Sequence, residues 1–494
     1  MKQSFKPLAL AAAVSAISAG AVNAQSVSVA GTYPSLGDFA MVPYYTVQGD
    51  WVTGIHITNT SSIFTQVVKF RMRGAEDSQD ILDFNLVLSP NDVWTGTIRG
   101  NDEAMEVATA DKSCTAPVFL NDGTIAPVSS ATLEGAQEGY VEIIGMGMAL
   151  VTSPIGRASL HSDGVPANCD AVRTNFLATN VLTNDVTVQQ GGLLLSGSNT
   201  YLPTGNMLKV SYFIRDNASG IEFGNNAVHI TGFSNDAYMT NQQLGLDDFA
   251  ESGAAALSGY DYPDVRGGGL NTGDISTRNR YQAVVRPALG ADSVMNDWSF
   301  NSNTGAATDW VVTFPGQYAQ TDYWGLRAGT TWDYRELPAK ADFSRLYDRE
   351  EGEGVPGGLV FSPSPAPGAA FLPNEVNVIS WGPESVAPVL DSAFVLPVDP
   401  GEAGLTGATG WAALSVTGSA KLSVSLLNPQ PVPWSVCDEA GGPVGLGGAG
   451  ICSAVTGPIP MVGFAAWERT FDDPDKNYGR IVEHSFTRSI ALPN

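Results

Sequence analysis

Histidine and cysteine are scarce in this chain, with four of each among 494 residues. His56, His161, His229 and His484 lie far apart, and none sits in a dense run of ligand-type residues. A transition-metal centre needs several N, S or O ligands converging on one point, so this spacing argues against one. His56 and His229 fall in strand-like runs, where a hydrogen-bonded sheet histidine is the expected role. No CxxC spacing occurs, which argues against a metal held by cysteines alone. Catalytic signatures are missing too: there is no HExxH, no GxSxG, no phosphate-binding GxxxxGKS or GxxxxGKT, and no CxxCH. His161, Ser162 and Asp163 are triad residue types, but adjacency in sequence supplies no triad geometry, and the segment reads as a loop. Basic residues are also few, 25 against 50 acidic ones, for a net charge of −25. Nucleic acid and anionic lipid would be repelled by such a chain. The same charge suits solubility outside the cell and favours divalent cations, which prefer carboxylate oxygen.

Only one long apolar run is present. Lys2 and Lys6 precede a stretch from Leu8 to Ala21, and Val22, Asn23 and Ala24 then supply a small-residue cleavage site. Residues 1–24 therefore read as a Sec signal peptide, with cleavage after Ala24. The run is shorter than the ~20 residues that span hydrocarbon, and no cysteine follows it to carry a lipid. Export predicts a periplasmic, outer-surface or extracellular protein with no transmembrane segment. Loss of Lys2 and Lys6 takes the net charge from −25 to −27. In an oxidising compartment Cys114, Cys169, Cys437 and Cys452 can pair in three ways. Pairing by neighbourhood is favoured, as Cys114–Cys169 and Cys437–Cys452. The second bridge would close a loop rich in glycine (Gly441, Gly442, Gly445, Gly447, Gly448, Gly450), which gains about 3 kcal/mol in the chain-entropy model.

What the chain does contain is β-type: Gly, Pro, Thr, Val, Asn and Asp in short alternating runs. Trp51 to Thr58 alternates and stops at Asn59, Thr60, Ser61 and Ser62. Val67 to Arg73 alternates apolar with basic residues, Ile81 to Leu88 follows, and Val93 to Ile98 resumes after a turn at Pro90. Tyr140 to Ile144 and Met207 to Ile214 continue the pattern. After residue 280 the strand signals are Tyr281–Val285, Asp309–Phe314, Glu375–Ser380, Trp411–Val416, Lys421–Leu427 and Val462–Trp467. The reading is an all-β protein with two antiparallel β-sandwich-like domains and long loops. Residues 25–235 form the N-terminal domain, 236–280 a connecting segment, and 281–494 a C-terminal β-rich domain.

Several motifs carry a resemblance. They are Val42-Pro43-Tyr44-Tyr45, Ile57-Thr58-Asn59-Thr60, Val68-Lys69-Phe70-Arg71 and the run from Leu82 through Ser89-Pro90 to Gly96. Asp309 to Pro315, Tyr347-Asp348-Arg349-Glu350-Glu351 and Gly463 to Trp467 belong with them. Together they resemble a family of uncharacterised secreted proteobacterial surface proteins. The likeness runs over most of the mature chain, which implies one architectural unit and an exported location. Its motifs are strand and turn patterns rather than catalytic ones.

Three stretches invite chemistry. Asp348, Glu350 and Glu351 surround Arg349, and glycoside hydrolysis uses two carboxylates ~5–9.5 Å apart. Against this, charge runs usually form a wet face in which the arginine pairs with a neighbour. Asp473, Asp475 and Asn477 alternate like the start of a calcium loop. Tyr478 stands where that loop needs its turn glycine, and His484 where it needs a bidentate glutamate. Tyr318, Tyr323, Trp324, Trp332 and Tyr334, set among Asp322, Asp333 and Glu336, could stack on sugar rings while the carboxylates accept from hydroxyls. Burial in the core is the commoner fate of such rings. The expected function is that of a secreted or cell-surface, non-enzymatic β-protein with a structural, adhesive or glycan-contacting role. The alternatives are an extracellular polysaccharide hydrolase using the Asp348–Glu351 group, and a calcium-stabilised extracellular module. A glycan or envelope component is the expected partner, with self-association open, and no cofactor is expected apart from the calcium of that last alternative.

Overall fold

Period-two alternation gives each strand two faces, and here those faces are used in an unequal way. The computed structural model describes residues 36–76, 78, 80–100, 104–116, 118–125, 135–177, 201–233, 284–316, 339–355, 370–417, 436–437, 443–444 and 458–487. The signal peptide, the connecting segment 236–280, the aromatic stretch Tyr318–Tyr334 and Cys452 lie outside the described residues. Of Cys437 only the backbone is described, so the Cys437–Cys452 pairing lies outside them too.

Four large sheets dominate. Sheet I runs Val228–Ile230, Phe39–Thr46, Glu138–Leu150, Phe64–Gly74, Asp80–Leu88, Cys114–Ala116. Sheet II runs Glu222–Asn226, Leu208–Asp216, Trp51–Asn59, Val93–Gly100, Met105–Ala108, Thr124–Ile125. Sheet III runs Val395–Val398, Val376–Trp381, Ala306–Thr313, Val462–Arg469, Tyr478–Glu483. Sheet IV runs Ala370–Leu372, Ala339–Asp348, Thr409–Thr417, Ser293–Ser299, Ser485–Thr487. Neighbouring strands in these sheets are antiparallel except Val376–Trp381 and Val395–Val398, which run parallel. The protein is all-β, as its alternation predicts. Sheets I and II pack face to face around Phe70, Phe84 and Trp94, whose ring centroids lie 4.7 to 5.8 Å apart. Sheets III and IV do the same around Trp298, Trp310, Trp381 and Phe343.

Sheet III belongs to both halves of the molecule. Trp310, Val312, Ile379 and Trp381 point toward sheet IV, whereas Val311, Val376, Val378, Val462 and Phe464 join the core of the N-terminal sandwich. Every residue of Ala306–Thr313 is buried in consequence. Polar bonds cross the same seam: Thr313 Oγ1 donates to the Pro43 carbonyl at 2.7 Å, and Val376 N–H to the Ala75 carbonyl at 2.8 Å. One expected strand differs. Val284 and Val285 do not extend but form a helical turn leading into the short helix Arg286–Leu289. Pro287 lacks the N–H a ladder needs and suits the first turn of a helix, and the turn drives both valines into the shared core.

The outer face of sheet I buries charge. Lys69, Arg71 and Arg73 alternate with Val68, Phe70 and Met72 along Phe64–Gly74, and all six are fully buried. Asp83 lies opposite Arg71 on one flank and Glu142 on the other. Asp83 Oδ1 is 2.6 Å from Lys69 Nζ, Asp83 Oδ2 is 3.9 Å from Arg71 Nη2, and Glu142 Oε1 is 3.6 Å from Arg73 Nε. Cations and carboxylates interleave across three strands, which is the arrangement that lets charge leave water at tolerable cost.

Cys114 and Cys169 form a disulfide, with Cα atoms 5.2 Å apart. It ties the edge strand Cys114–Ala116 to the helix Cys169–Leu177, beside a small core of Val67, Val87, Met146, Ile155 and Tyr201. The adjoining helix Pro154–Ser159 starts at Ser153, whose hydroxyl accepts from Gly156 N–H at 3.0 Å. The bridge spans 55 residues, so replacing both cysteines by serine should destabilise the protein by about 2–4 kcal/mol. Urea unfolding of the two forms checks this, and superimposable curves would contradict it. A disulfide fits an oxidising compartment, and no helix among the described residues is long and apolar enough to cross a membrane.

Candidate functional site

Sheet IV turns one face to sheet III and the other outward. Along Ala339–Asp348 the inward residues are Phe343 and Leu346, and the outward ones Arg345 and Tyr347. A register shift between Phe343 and Arg345 produces this order, because a β-bulge inserts one residue and flips all that follow. Tyr347 then lies directly opposite Trp411 of Thr409–Thr417. Their rings stack with centroids 4.8 Å apart and planes 19° apart. Trp411 is opposite Asp297 of Ser293–Ser299 on its other side. Three strands thus present a row of Tyr347, Trp411 and Asp297, all part-exposed.

Polar groups border the row. Arg349 Nη2 donates to Asp297 Oδ2 at 2.7 Å, and each of these side chains is about half exposed. The Tyr347 hydroxyl donates to Glu353 Oε1 at 3.1 Å. That hydrogen bond, with burial and the Glu353 charge behind it, raises the Tyr347 phenol above its ordinary value. An aromatic pair framed by a guanidinium donor and two carboxylate acceptors has the chemistry of a sugar contact. Rings cover apolar C–H faces, and the rim meets hydroxyls. Trp411 was legible in the sequence: Ala412, Leu414 and Val416 mark the inner face, so alternation sets Trp411 outward. Tyr347 was not, because strict alternation from Phe343 sets it inward.

The predicted carboxylate group has a structural use. Asp348 is nearly buried, and its Oδ1 accepts from the N–H of Glu350 at 3.1 Å and of Gly352 at 2.7 Å, closing a turn. Glu350 and Glu351 are exposed, and Glu351 adopts φ 62° in that turn. Arg349 finds its partner in Asp297, 52 residues away, rather than within its own run. Around the calcium-like segment, Asp473 pairs with Lys476 at 3.0 Å, and Asn477 Oδ1 accepts from Phe471 N–H at 2.8 Å. Pro474–Lys476 forms a short 3-10 turn there, and Asp475 is exposed.

Each histidine has its own surroundings. His56 is exposed and meets the Phe213 ring edge-on. His229 Nε2 accepts from Val210 N–H at 2.9 Å, so its other nitrogen carries the proton. His484 Nε2 lies 3.0 Å from the Val311 carbonyl and must donate to it, which leaves Nδ1 to accept from Asn296 at 2.9 Å. Burial pushes His229 down to about 4 and His484 down to about 3, so both are neutral at ordinary pH. His161 is brought to residues far from it in sequence. Ser89 Oγ lies 3.0 Å and Asp92 Oδ2 3.4 Å from its Nδ1. A nucleophile relay needs serine and carboxylate on opposite ring nitrogens, so shared use of Nδ1 is not triad geometry. Asp163, at φ 55°, and Gly164, at φ 81°, turn the small hairpin that carries His161. Among the described residues no group of three or more His, Cys, Asp or Glu side chains could hold a metal ion. No family model, curated protein or solved structure matches this chain.

Proposed function

We propose that this is a secreted or cell-surface, non-enzymatic β-protein that contacts glycan through the outer face of sheet IV. The carrying observation is the stacked pair Tyr347 and Trp411, bordered by Asp297, Arg349 and Glu353. Two further features support an exterior role: the signal-like residues 1–24 and the Cys114–Cys169 bridge. The shared core of sheet III gives such a protein a stiff body on which a contact face keeps its shape. Net acidity directs the face toward neutral or cationic glycans rather than polyanionic ones.

The test is a glycan array on the mature chain, with and without calcium, followed by calorimetry on any ligand bound. Released reducing sugar is assayed in parallel. Trp411→Ala is expected to weaken binding at least about 30-fold, or roughly 2 kcal/mol, as central aromatic anchors do. No reducing sugar should appear. Unchanged affinity in Trp411→Ala removes the site, and release of sugar supports the hydrolase alternative instead.

A further inference from the structure

The loop between Val376–Trp381 and Val395–Val398 crosses the seam between the two sandwiches, and a buried carboxylate holds it on each side. From the C-terminal side, Asp309 Oδ2 accepts from the N–H groups of Val389 and Leu390, both at 2.9 Å. From the N-terminal side, Glu138 Oε1 accepts from Ala393 N–H at 2.6 Å. The other Glu138 oxygen accepts from the Tyr44 hydroxyl at 2.7 Å, and Gln48 donates to the first. Val389 and Leu390 are themselves buried in the shared core. The loop is therefore a strap, fixed by backbone hydrogen bonds to one carboxylate from each sandwich.

More carboxylates gather around the Asp309 end. Asp309 shares a face with Ala307 and Val311, toward the N-terminal sandwich, and is fully buried. Glu468 pairs in register with Ala307, one diagonal step from Asp309 on the same face. Asp391 follows Leu390 on the strap and holds φ 49°, the left-handed region. Asp216 comes from the N-terminal sandwich, opposite Trp51. Trp51 stacks on Phe223 at 5.8 Å, and Phe223 lies so close to Gly479 of sheet III that a Cβ there would run into the ring. The acids thus sit where the sandwiches touch. Asp309 Oδ1 has no hydrogen bond of normal geometry among the described residues, and the Ser380 hydroxyl opposite it helps the charged form less than the Leu390 N–H does. Asp309, Asp391 and Asp216 all act on Glu468 with charge of its own sign.

We propose that this strap is a proton-dependent latch: it closes the seam while Asp309 and Glu468 hold protons, and loosens when they ionise beside Asp391 and Asp216. Burial and its acidic neighbour push Asp309 up to about 6, and burial with three carboxylates pushes Glu468 up to about 7. Burial raises Glu138 and Asp391 as well, and Tyr44 stays neutral because burial and Glu138 raise it strongly. Groups raised in the closed state bind more protons closed than open. Their stabilisation is complete below the ordinary carboxyl range, near pH 4, and is lost as pH rises through about 6 to 7. The latch is independent of the glycan proposal.

Hydrogen exchange on the full chain between pH 4.5 and 8, corrected for the intrinsic exchange rate, tests it. Peptides covering residues 383–394 should lose protection as pH rises, about tenfold per pH unit for each carboxyl between its open and closed values. Peptides from Phe64–Gly74 serve as the internal reference and should not follow. Glu468→Gln, at a part-exposed side chain, should flatten the profile, and Asp309→Asn should do so more completely. A purely structural role would shift protection evenly at every pH. A strap with no pH dependence, or identical slopes in wild type and Glu468→Gln, overturns the latch even if Asp309→Asn fails to fold.

Discussion

Replacing Asp83 with alanine is expected to destabilise the protein by about 3–5 kcal/mol, measured by urea unfolding. Lys69 Nζ lies 2.6 Å from one Asp83 oxygen and Arg71 Nη2 3.9 Å from the other, and all three side chains are fully buried. Removing the carboxylate takes one of two buried acids from a face that buries three cations, so positive charge there is left undercompensated. The penalty comes from that residual charge more than from the lost contact, so the pair need not be strongly stabilising for its rupture to be costly. The double variant Lys69→Met with Asp83→Leu separates the two ideas. It removes a charge of each sign and should recover most of the loss. A double variant as damaged as Asp83→Ala would mean that shape, not charge, governs this face. With total stabilities of about 5–15 kcal/mol in single domains, a loss of this size approaches the limit for folding.

A loss of similar size, about 3–5 kcal/mol, is expected for Trp381→Ala, from lost burial and the cavity left behind. Trp381 is stacked on Trp298 at 5.7 Å and 9°, tilted against Trp310 at 4.8 Å, and met edge-on by Phe343 at 5.5 Å. No single neighbour can move to fill the space, because each ring is braced by others. Trp381 also carries a hidden cost. Its indole N–H has no hydrogen-bond partner among the described residues, and a buried orphan donor costs about 1–3 kcal/mol. Trp381→Phe keeps one ring and removes that donor, so it should lose well under half of what alanine loses. Equal losses in the two variants would show that the orphan N–H and the retained ring contribute nothing.

These residues also show how far local pattern carries. Alternation in Trp51–Asn59 and Val93–Gly100 was enough to predict strands, because a strand with one wet face writes its period directly into side-chain polarity. Cysteine parity and neighbourhood were enough for Cys114–Cys169. Val284 and Val285 misled, since two buried β-branched residues look the same in a strand and in a helical turn. Tyr347 was hidden by a bulge, which costs one residue in the chain and reverses the face of every residue after it. Asp309 read as an ordinary strand residue. Only a sheet covered on both sides turns it into a buried carboxyl beside the seam.

The chain by itself determined most of the strands, the turns between them and the net acidity. Tertiary structure decided which faces meet water. Lys69, Arg71 and Arg73 share one face by alternation alone, yet their burial depends on what lies over that face. The strap depends on Glu138 and Ala393, 255 residues apart, arriving at one hydrogen bond. The physical reason is that a strand's period is set by its own backbone geometry. The dielectric around its side chains, and therefore their charge and function, is set by distant segments that no local pattern specifies.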